Sequence, residues 1–390
     1  MLEKNRIPQI IWIKQWRLHN MSELTTSNSV SLLTLILPKE SVGIVSKAIS
    51  EEGAKGIVQI SARGSVLNEG GLLQRMFPPP APEQQLLQAL VPNSKVDQIT
   101  DRAISVGNLD RVGSGAVFTI SCNDAHFSQN FPSNIDSGED DNHHNGSADL
   151  EAICCICEIG VADDIAKAAL QNGAPGPTVT FGEGGGIRDK IPLLRITKGP
   201  EKEFVWCVVD KSDSDAIFAD MARAGRITEP GRGFMYSIPV NSGLINVSST
   251  VSSSAHGANM EQVIAALDDL KGDKEWRQSI DSSKTKSLKT TYLKDLVGIY
   301  CIIPRDNYSE VYDAVLDSGA PGVSTNFGVM IDAGSDQQQN EEWALVYTSV
   351  GPNSVNELRK TVEDKISSLG IDRFAFYTLP IPRALTYLGG

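Results

Sequence analysis

The feature that most constrains this chain is a phrase that it uses three times. Glu52-Gly53-Ala54-Lys55-Gly56, Asn172-Gly173-Ala174-Pro175-Gly176 and Ser318-Gly319-Ala320-Pro321-Gly322 share Gly-Ala-x-Gly. Each follows a stretch with helical spacing: Ser41–Glu51, Val161–Gln171 and Asn307–Asp317. Each of those follows an apolar run of strand length: Val30–Leu37, Leu150–Ile159 and Val297–Ile303. A β-rich run comes next in every case, at Ile57–Ile60, Thr178–Phe181 and Val323–Phe327. The second half recurs as well. Strands are predicted at Leu86–Val91, Phe204–Val209 and Trp343–Val350, and helices at Ser94–Val106, Ser212–Ala224 and Ser354–Leu369. Final strands follow at Ala116–Ser121, Phe234–Val240 and Phe374–Leu379. The order β-α-β-β-α-β predicts an α+β fold, a ferredoxin-like sandwich repeated three times in a single-chain pseudo-trimer.

The joins divide the chain. Residues 1–29 read as an N-terminal extension, 30–128 as a first unit and 129–149 as an acidic linker. Residues 150–251 form a second unit, and 252–295 a linker with a docking helix at Met260–Leu270. Residues 296–390 form a third, degenerate unit. The extension is basic through Lys4, Arg6, Lys14 and Arg17, with Trp12 and Trp16 among isoleucines. Two readings stand for it: a short amphipathic helix on a membrane surface or partner, or a plain extension ahead of the domain.

Charge narrows the function. Lys plus Arg total 35 against 48 Asp plus Glu, a net charge of -13. That argues against a nucleic-acid binder, whose footprint is a basic face. No apolar run approaches the roughly 18 residues of a spanning helix, so no membrane span is expected. Six cysteines in 390 residues are too sparse for a disulfide framework, and the expected location is cytoplasmic.

Two glycine loops share one spacing between a helix and a strand. The first runs from Gly107 to Gly115 through Arg111 and Gly113. The second runs from Gly225 to Gly233 through Arg226, Gly231 and Arg232. A dinucleotide fingerprint lies between strand and helix, so this is not one. Glycines here can present backbone N–H groups as a nest, and a nest with an arginine suits a phosphate. These nine residues are the predicted anion-binding set. The third unit passes from Leu369 to Phe374 with no such loop.

At this point the chain resembles the P-II (nitrogen regulatory) signalling proteins. Gly173-Ala174-x-Gly176, the run Gly182-Glu183-Gly184-Gly185-Gly186, Glu201-Lys202-Glu203-Phe204, the loop Gly225–Gly233 and Ile238-Pro239-Val240 carry the resemblance. It implies trimer-forming ferredoxin-like domains with adenine nucleotides in the clefts between neighbours. A long loop between strands two and three would then reach a target protein. Under it, Gly225–Gly233 and Gly107–Gly115 match the family's phosphate-cradling loop, with Arg226 and Arg232 at its basic positions. The departures are specific. No Tyr lies in Gly182–Pro200, Glu183 stands where the family has Gln, and Asn241–Val251 holds no Lys or Arg.

Other residues invite a role. In the first long loop, Leu72, Met76 and Phe77 precede Pro78-Pro79-Pro80, which suits a partner groove or packing on the loop's own sheet. In the second, Arg188, Lys190 and Arg195 surround apolar residues and suit an acidic partner. On a strand, Cys155 and Cys157 share one side and Cys154 takes the other, as core cysteines do. Glu158, Glu183 and Glu203 lack an adjacent nucleophile or His, so no catalytic residue, and no metal ligand, is assigned. The expected function is a non-enzymatic sensor of an adenine nucleotide (ATP, ADP, AMP or cyclic AMP) or related small anion, controlling a target enzyme or transporter. Two alternatives stand beside it: an assembly scaffold without nucleotide, or a metal-binding protein using Cys155, Cys157 or His143.

Overall fold

The structure, a computed structural model, describes residues 24–68, 81–135, 149–186, 200–247, 250–252, 291–331 and 341–388. Its first stretch holds β1 (Thr25–Ser27), β2 (Val30–Pro38), α1 (Val42–Glu51), β3 (Ile57–Gly64), β4 (Val66–Asn68), β5 (Glu83–Pro92), α2 (Val96–Gly107), β6 (Gly115–Ser121) and β7 (Asp124–Phe127). Next come β8 (Leu150–Glu158), α3 (Ala162–Gln171), β9 (Thr178–Gly186), β10 (Glu201–Asp210), α4 (Ser214–Ala224), β11 (Gly233–Val240), β12 (Ser242–Asn246) and β13 (Thr250–Ser252). Last are β14 (Leu293–Pro304), α5 (Tyr308–Asp317), β15 (Gly322–Ile331), β16 (Glu341–Val350), α6 (Val355–Leu369) and β17 (Ala375–Thr386).

These strands do not form three separate sheets. Fifteen of them belong to one, and nine close on themselves through antiparallel pairs in the order β3, β15, β16, β14, β17, β11, β8, β10, β9 and back to β3. The other six, β1, β2, β5, β6, β7 and β12, extend the sheet beyond the ring. The expectation of a ferredoxin-like sandwich repeated three times is therefore corrected. Among the described residues the protein is mostly β, at 46 % strand, a closed barrel with added outer strands and helices. The physical reason lies at the sheet edges. A free-standing four-stranded sheet would leave unpaired N–H and C=O groups along its outer strands. Here β3, β9 and β15 pair with one another instead.

The seam explains a sequence feature that had read as loop. Gly182–Gly186 is not part of an outreaching loop; it is the far half of β9 and pairs with Gly322–Asn326 of β15. A Cβ at Gly182 would stand 2.0 Å from the Thr325 carbonyl oxygen, so only glycine lets the two backbones meet there. Across the same junction Arg63 of β3 ion-pairs with Asp163 at 2.7 Å and with the buried Glu203 at 3.4 Å. The Glu203 carboxylate also accepts the N–H groups of Gly160 at 2.8 Å and Ala162 at 3.1 Å. It thereby satisfies donors that open the N-terminus of α3.

Strands buried on both faces explain the continuous apolar runs. Leu32 and Ile36 of β2, Cys154 and Ile156 of β8, and Tyr300 and Ile302 of β14 face one central core. Their neighbours turn outward under helices. Leu33, Leu35 and Leu37 pack with α1 and α2; Ile153, Cys155 and Cys157 pack with α3 and α4; Ile299, Cys301 and Ile303 pack with α5 and α6. Each buried Leu or Ile contributes about 2 kcal/mol by apolar area. In the centre Tyr300 is stacked between Tyr347 at 5.2 Å and Tyr377 at 5.0 Å, its direct cross-strand partners. A cavity of only about 20 Å³ remains among Leu32, Thr34, Phe118, Trp206 and Tyr347. The lumen is a packed core and not a ligand chamber.

Three hand-overs link strands of different parts of the chain. β12 leaves β11 to pair with β6, the far end of β17 pairs with β11, and β7 leaves β6 to pair with the start of β17. Arg383 of β17 fastens the second of these. Its guanidinium reaches Glu151 at 2.9 Å, hydrogen-bonds Ser214 at 2.7 Å, pairs with Asp215 and lies 4.2 Å from the Phe218 ring centre.

Candidate functional site

Both glycine turns follow a helix and enter a strand. In the first, α2 ends at Gly107 and Asn108 takes the left-handed conformation with φ +48°. Leu109 folds back into the core, its N–H bonded to the Ile104 carbonyl at 3.0 Å. Arg111 N–H donates to Asn108 O, Ser114 N–H donates to Arg111 O, and Ser114 Oγ donates to the same carbonyl. Gly113 N–H donates to the Asn246 carbonyl at 2.6 Å, and Asn246 Nδ2 donates to Leu109 O at 2.6 Å. Gly115 then enters β6 so close to β2 that a Cβ would lie 2.2 Å from the Ile36 carbonyl oxygen. The end of β12 thus shuts this turn. The Gly113 donor that a phosphate nest needs is already bonded, and the Arg111 side chain stands exposed on the outside.

The second turn has the same backbone plan. Gly225 N–H donates to Met221 O, Ile227 is buried like Leu109, and a Cβ at Gly233 would lie 2.0 Å from the Ile156 carbonyl oxygen. Its side chains differ. Arg226 occupies the left-handed position at φ +53°, where the first turn has Asn108. Its Nε donates to Glu229 Oε1 at 2.7 Å, while Glu229 Oε2 lies 3.7 Å from Arg232 Nε. Arg232 Nη1 in turn donates to Glu158 Oε2 at 3.2 Å. Two guanidinium groups and two carboxylates alternate along the turn. Arg226 is 58 % exposed, Glu229 41 % and Arg232 31 %. The backbone donors of Glu229 and Arg232 are bonded within the turn, and Thr386 Oγ1 donates to Gly233 O at 2.8 Å. What this turn offers an anion is therefore side-chain guanidinium and not a backbone nest. Gly231, at φ +73°, shapes the turn between them.

The other expected residues scatter. The contact loops with Leu72, Met76, Phe77, Arg188, Lys190 and Arg195 lie outside the described residues, as do His143 and the Met260–Leu270 helix. The three glutamates have separate partners: Glu158 binds Arg232, Glu183 accepts from Tyr308 Oη at 3.0 Å, and Glu203 caps α3. All six cysteines are free and buried. Burial pushes the Cys157 thiol up to about 12 and the Cys155 thiol well above its ordinary value, which leaves both unreactive at neutral pH. Among the described residues no group of three or more His, Cys, Asp or Glu is placed to hold a metal ion.

One charged cluster escaped the sequence reading. His126 lies on the short strand β7, and its ring is buried. Nδ1 lies 3.1 Å from Thr26 Oγ1, and Nε2 lies 3.0 Å from Arg359 Nη1 and 3.1 Å from Asp124 Oδ2. Burial pushes Asp124 up, but hydrogen bonds from His126 and Thr378 and the Arg359 charge outweigh it, so the carboxyl is held below its ordinary range. Burial raises Glu363, a neighbour of Arg359, above its ordinary range. A short Asp-x-His spacing before a Phe was the sole hint; Arg359 comes from α6 and has no local signature. The cluster ties β1, β7, β17 and α6 together.

No protein-family model matches the chain, and no curated protein matches it. Among solved structures, an aspartate kinase from Synechocystis aligns with 91 % of this chain and 44 % of its own, at 8 % identity and a TM-score of 0.22. A microcompartments protein from Desulfitobacterium hafniense aligns with 60 % of this chain and 96 % of its own, at 13 % identity and 0.17. An unknown protein from Galdieria sulphuraria aligns with 59 % and 97 %, at 9 % identity and 0.19. The chain spans less than half of the aspartate kinase, and similarity at these scores carries no argument. The P-II resemblance gains nothing from these comparisons. The barrel overturns the ferredoxin-like tandem repeat, and the descriptions built on it, P-II-like, nucleotide-binding and nitrogen-regulating, are withdrawn with it. No described helix is long and apolar enough to cross a membrane.

Proposed function

We propose that the protein is a non-catalytic binding protein whose ligand is a small anion held at the Gly225–Gly233 turn by Arg226 and Arg232. The observation that carries the reading is Arg226 itself. A non-glycine residue in the left-handed region costs about 1 kcal/mol, and Asn tolerates it far better than Arg. The first turn uses Asn108 there, while the second holds an arginine at the same strained position and joins it through Glu229 to a second arginine. Backbone strain kept in place by its surroundings is characteristic of functional positions.

The electrostatics fit exchange. Glu229 bridges both arginines, but exposed ion pairs contribute only about 0–1 kcal/mol, so a ligand displaces it at small cost. Guanidinium groups bind phosphate or carboxylate through paired, charge-assisted hydrogen bonds, which a lysine could not reproduce. Calorimetric titration with inorganic phosphate, pyrophosphate and succinate tests this. The expected result is saturable binding of at least one, weakened tenfold or more by Arg226→Ala or Arg232→Ala and weakened by salt. Binding of none, or binding untouched by the double variant, rejects the reading.

A further inference from the structure

A second recess lies apart from this turn, where β6, β11 and β17 part company. It has a volume of about 350 Å³ and is lined by Ser121, Cys122, Asn123, Pro239, Asn241 and Pro380. The strand ladders explain why it stays open. The β2–β6 pairing stops at Ser31 with Ser121, the β11–β17 pairing stops at Ser237 with Arg383, and the β7–β17 pairing stops at Thr378 with Asp124. Two residues past two of those stops stand Pro239 and Pro380, and a proline has no N–H to carry a ladder further.

The rim is held in place without a ligand. Asn241 Oδ1 accepts the Ser121 N–H at 2.6 Å, Asn241 N–H donates to Thr119 O at 2.9 Å, and Asn123 N–H donates to Thr378 O at 2.9 Å. Cys122 N–H donates to Val30 O at 2.9 Å. Three distant parts of the chain thus converge on one preformed hollow, within the size range of small-molecule sites.

We infer that this recess is a binding site for an uncharged small molecule with an amide or hydroxyl edge and an apolar face. The lining carries no acidic or basic side chain. Its one titratable group, the Cys122 thiol, is pushed far up by burial and then by the Asp124 charge, so it stays neutral. A charged ligand would lose hydration there and find no counter-charge. Ser121, Asn123 and Asn241 supply hydroxyl and amide groups, and the two proline rings supply flat apolar wall. The inference does not depend on the anion reading of the Gly225–Gly233 turn.

The test uses the full chain and four neutral probes: benzamide, phenol, acetamide and 2-pyrrolidinone. Amide chemical shifts are followed for Ser121, Cys122, Asn123 and Asn241. At least one probe is expected to shift these signals saturably, with benzoate at least tenfold weaker than benzamide. Asn123 is exposed, so Asn123→Trp fills the recess without entering the core, and it is expected to weaken binding at least tenfold. Ile44→Trp, on exposed α1 surface, is expected to change nothing. Silence from all four probes overturns the inference. So does a benzoate response equal to that of benzamide, or binding unchanged in Asn123→Trp when its remaining spectrum matches the parent.

Discussion

The two glycine turns share their backbone and differ in what lies against it. In the first, the end of β12 delivers Asn246, whose carbonyl accepts the Gly113 N–H and whose side-chain amide donates to the Leu109 carbonyl. In the second, the end of β17 reaches Gly233 through the Thr386 hydroxyl, and Arg226, Glu229 and Arg232 stand on the outer surface. One turn is closed by the protein's own chain, and its left-handed residue is the tolerant Asn108. The other keeps a strained arginine exposed. Glycine spacing therefore reports backbone geometry common to both, while the side chain at the left-handed position is where the two turns differ, Asn108 in one and Arg226 in the other.

The comparison breaks most severely at the glycines that the turns share. Gly115→Ala and Gly233→Ala place a methyl against the Ile36 and Ile156 carbonyls at strained positive φ, and each is expected to cost about 3 kcal/mol. Equal losses in chemical denaturation support a common backbone role. A loss confined to Gly233→Ala would mean that the first turn is looser than described. Next in size is Arg383→Ala, which takes the guanidinium from Glu151, 14 % exposed beneath the end of β17, and leaves its charge to the Ser214 and Ser237 hydroxyls. About 3 kcal/mol or somewhat less is expected, with the second turn losing amide-exchange protection before the first.

Exchanging the left-handed residues sharpens the contrast. Arg226→Asn is expected to stabilise the fold by about 0.5–1 kcal/mol while weakening anion binding, whereas Asn108→Arg destabilises it by a similar amount. Stability measured alongside calorimetry checks both signs. Smallest is the acid response of the region beside β7. Asp124 is held below its ordinary range, so its contribution is complete above ordinary aspartate pH and is lost as pH falls through the lowered folded value. Arg359→Ala should flatten that acid-side slope. Glu363 works in the opposite direction: its raised value makes stability fall as pH rises from the ordinary carboxylate range to that value.

Local order was legible in the sequence because its causes are local. The apolar run of β2, the spacing of Leu358, Val362 and Ile366 on α6, and the glycines closing the helices depend on residues a few positions apart. The partners of the strand edges were not legible. Nothing near Gly182 announces that Thr325 lies against it, so the glycine run read as a loop and the barrel read as three sandwiches. The turns follow the same rule. Their glycines and arginines stand out in the chain, but Asn246 and Thr386, which determine how far each turn is covered, come from distant strand ends.

Glu229→Gln offers the most direct measurement of the central claim. If Glu229 competes with a ligand for Arg226 and Arg232, removing its charge frees both guanidinium groups, and phosphate or pyrophosphate should bind up to about fivefold more tightly in calorimetric titration. Unchanged affinity, or no anion binding in either protein, would contradict the account and leave the Gly225–Gly233 turn as structure alone.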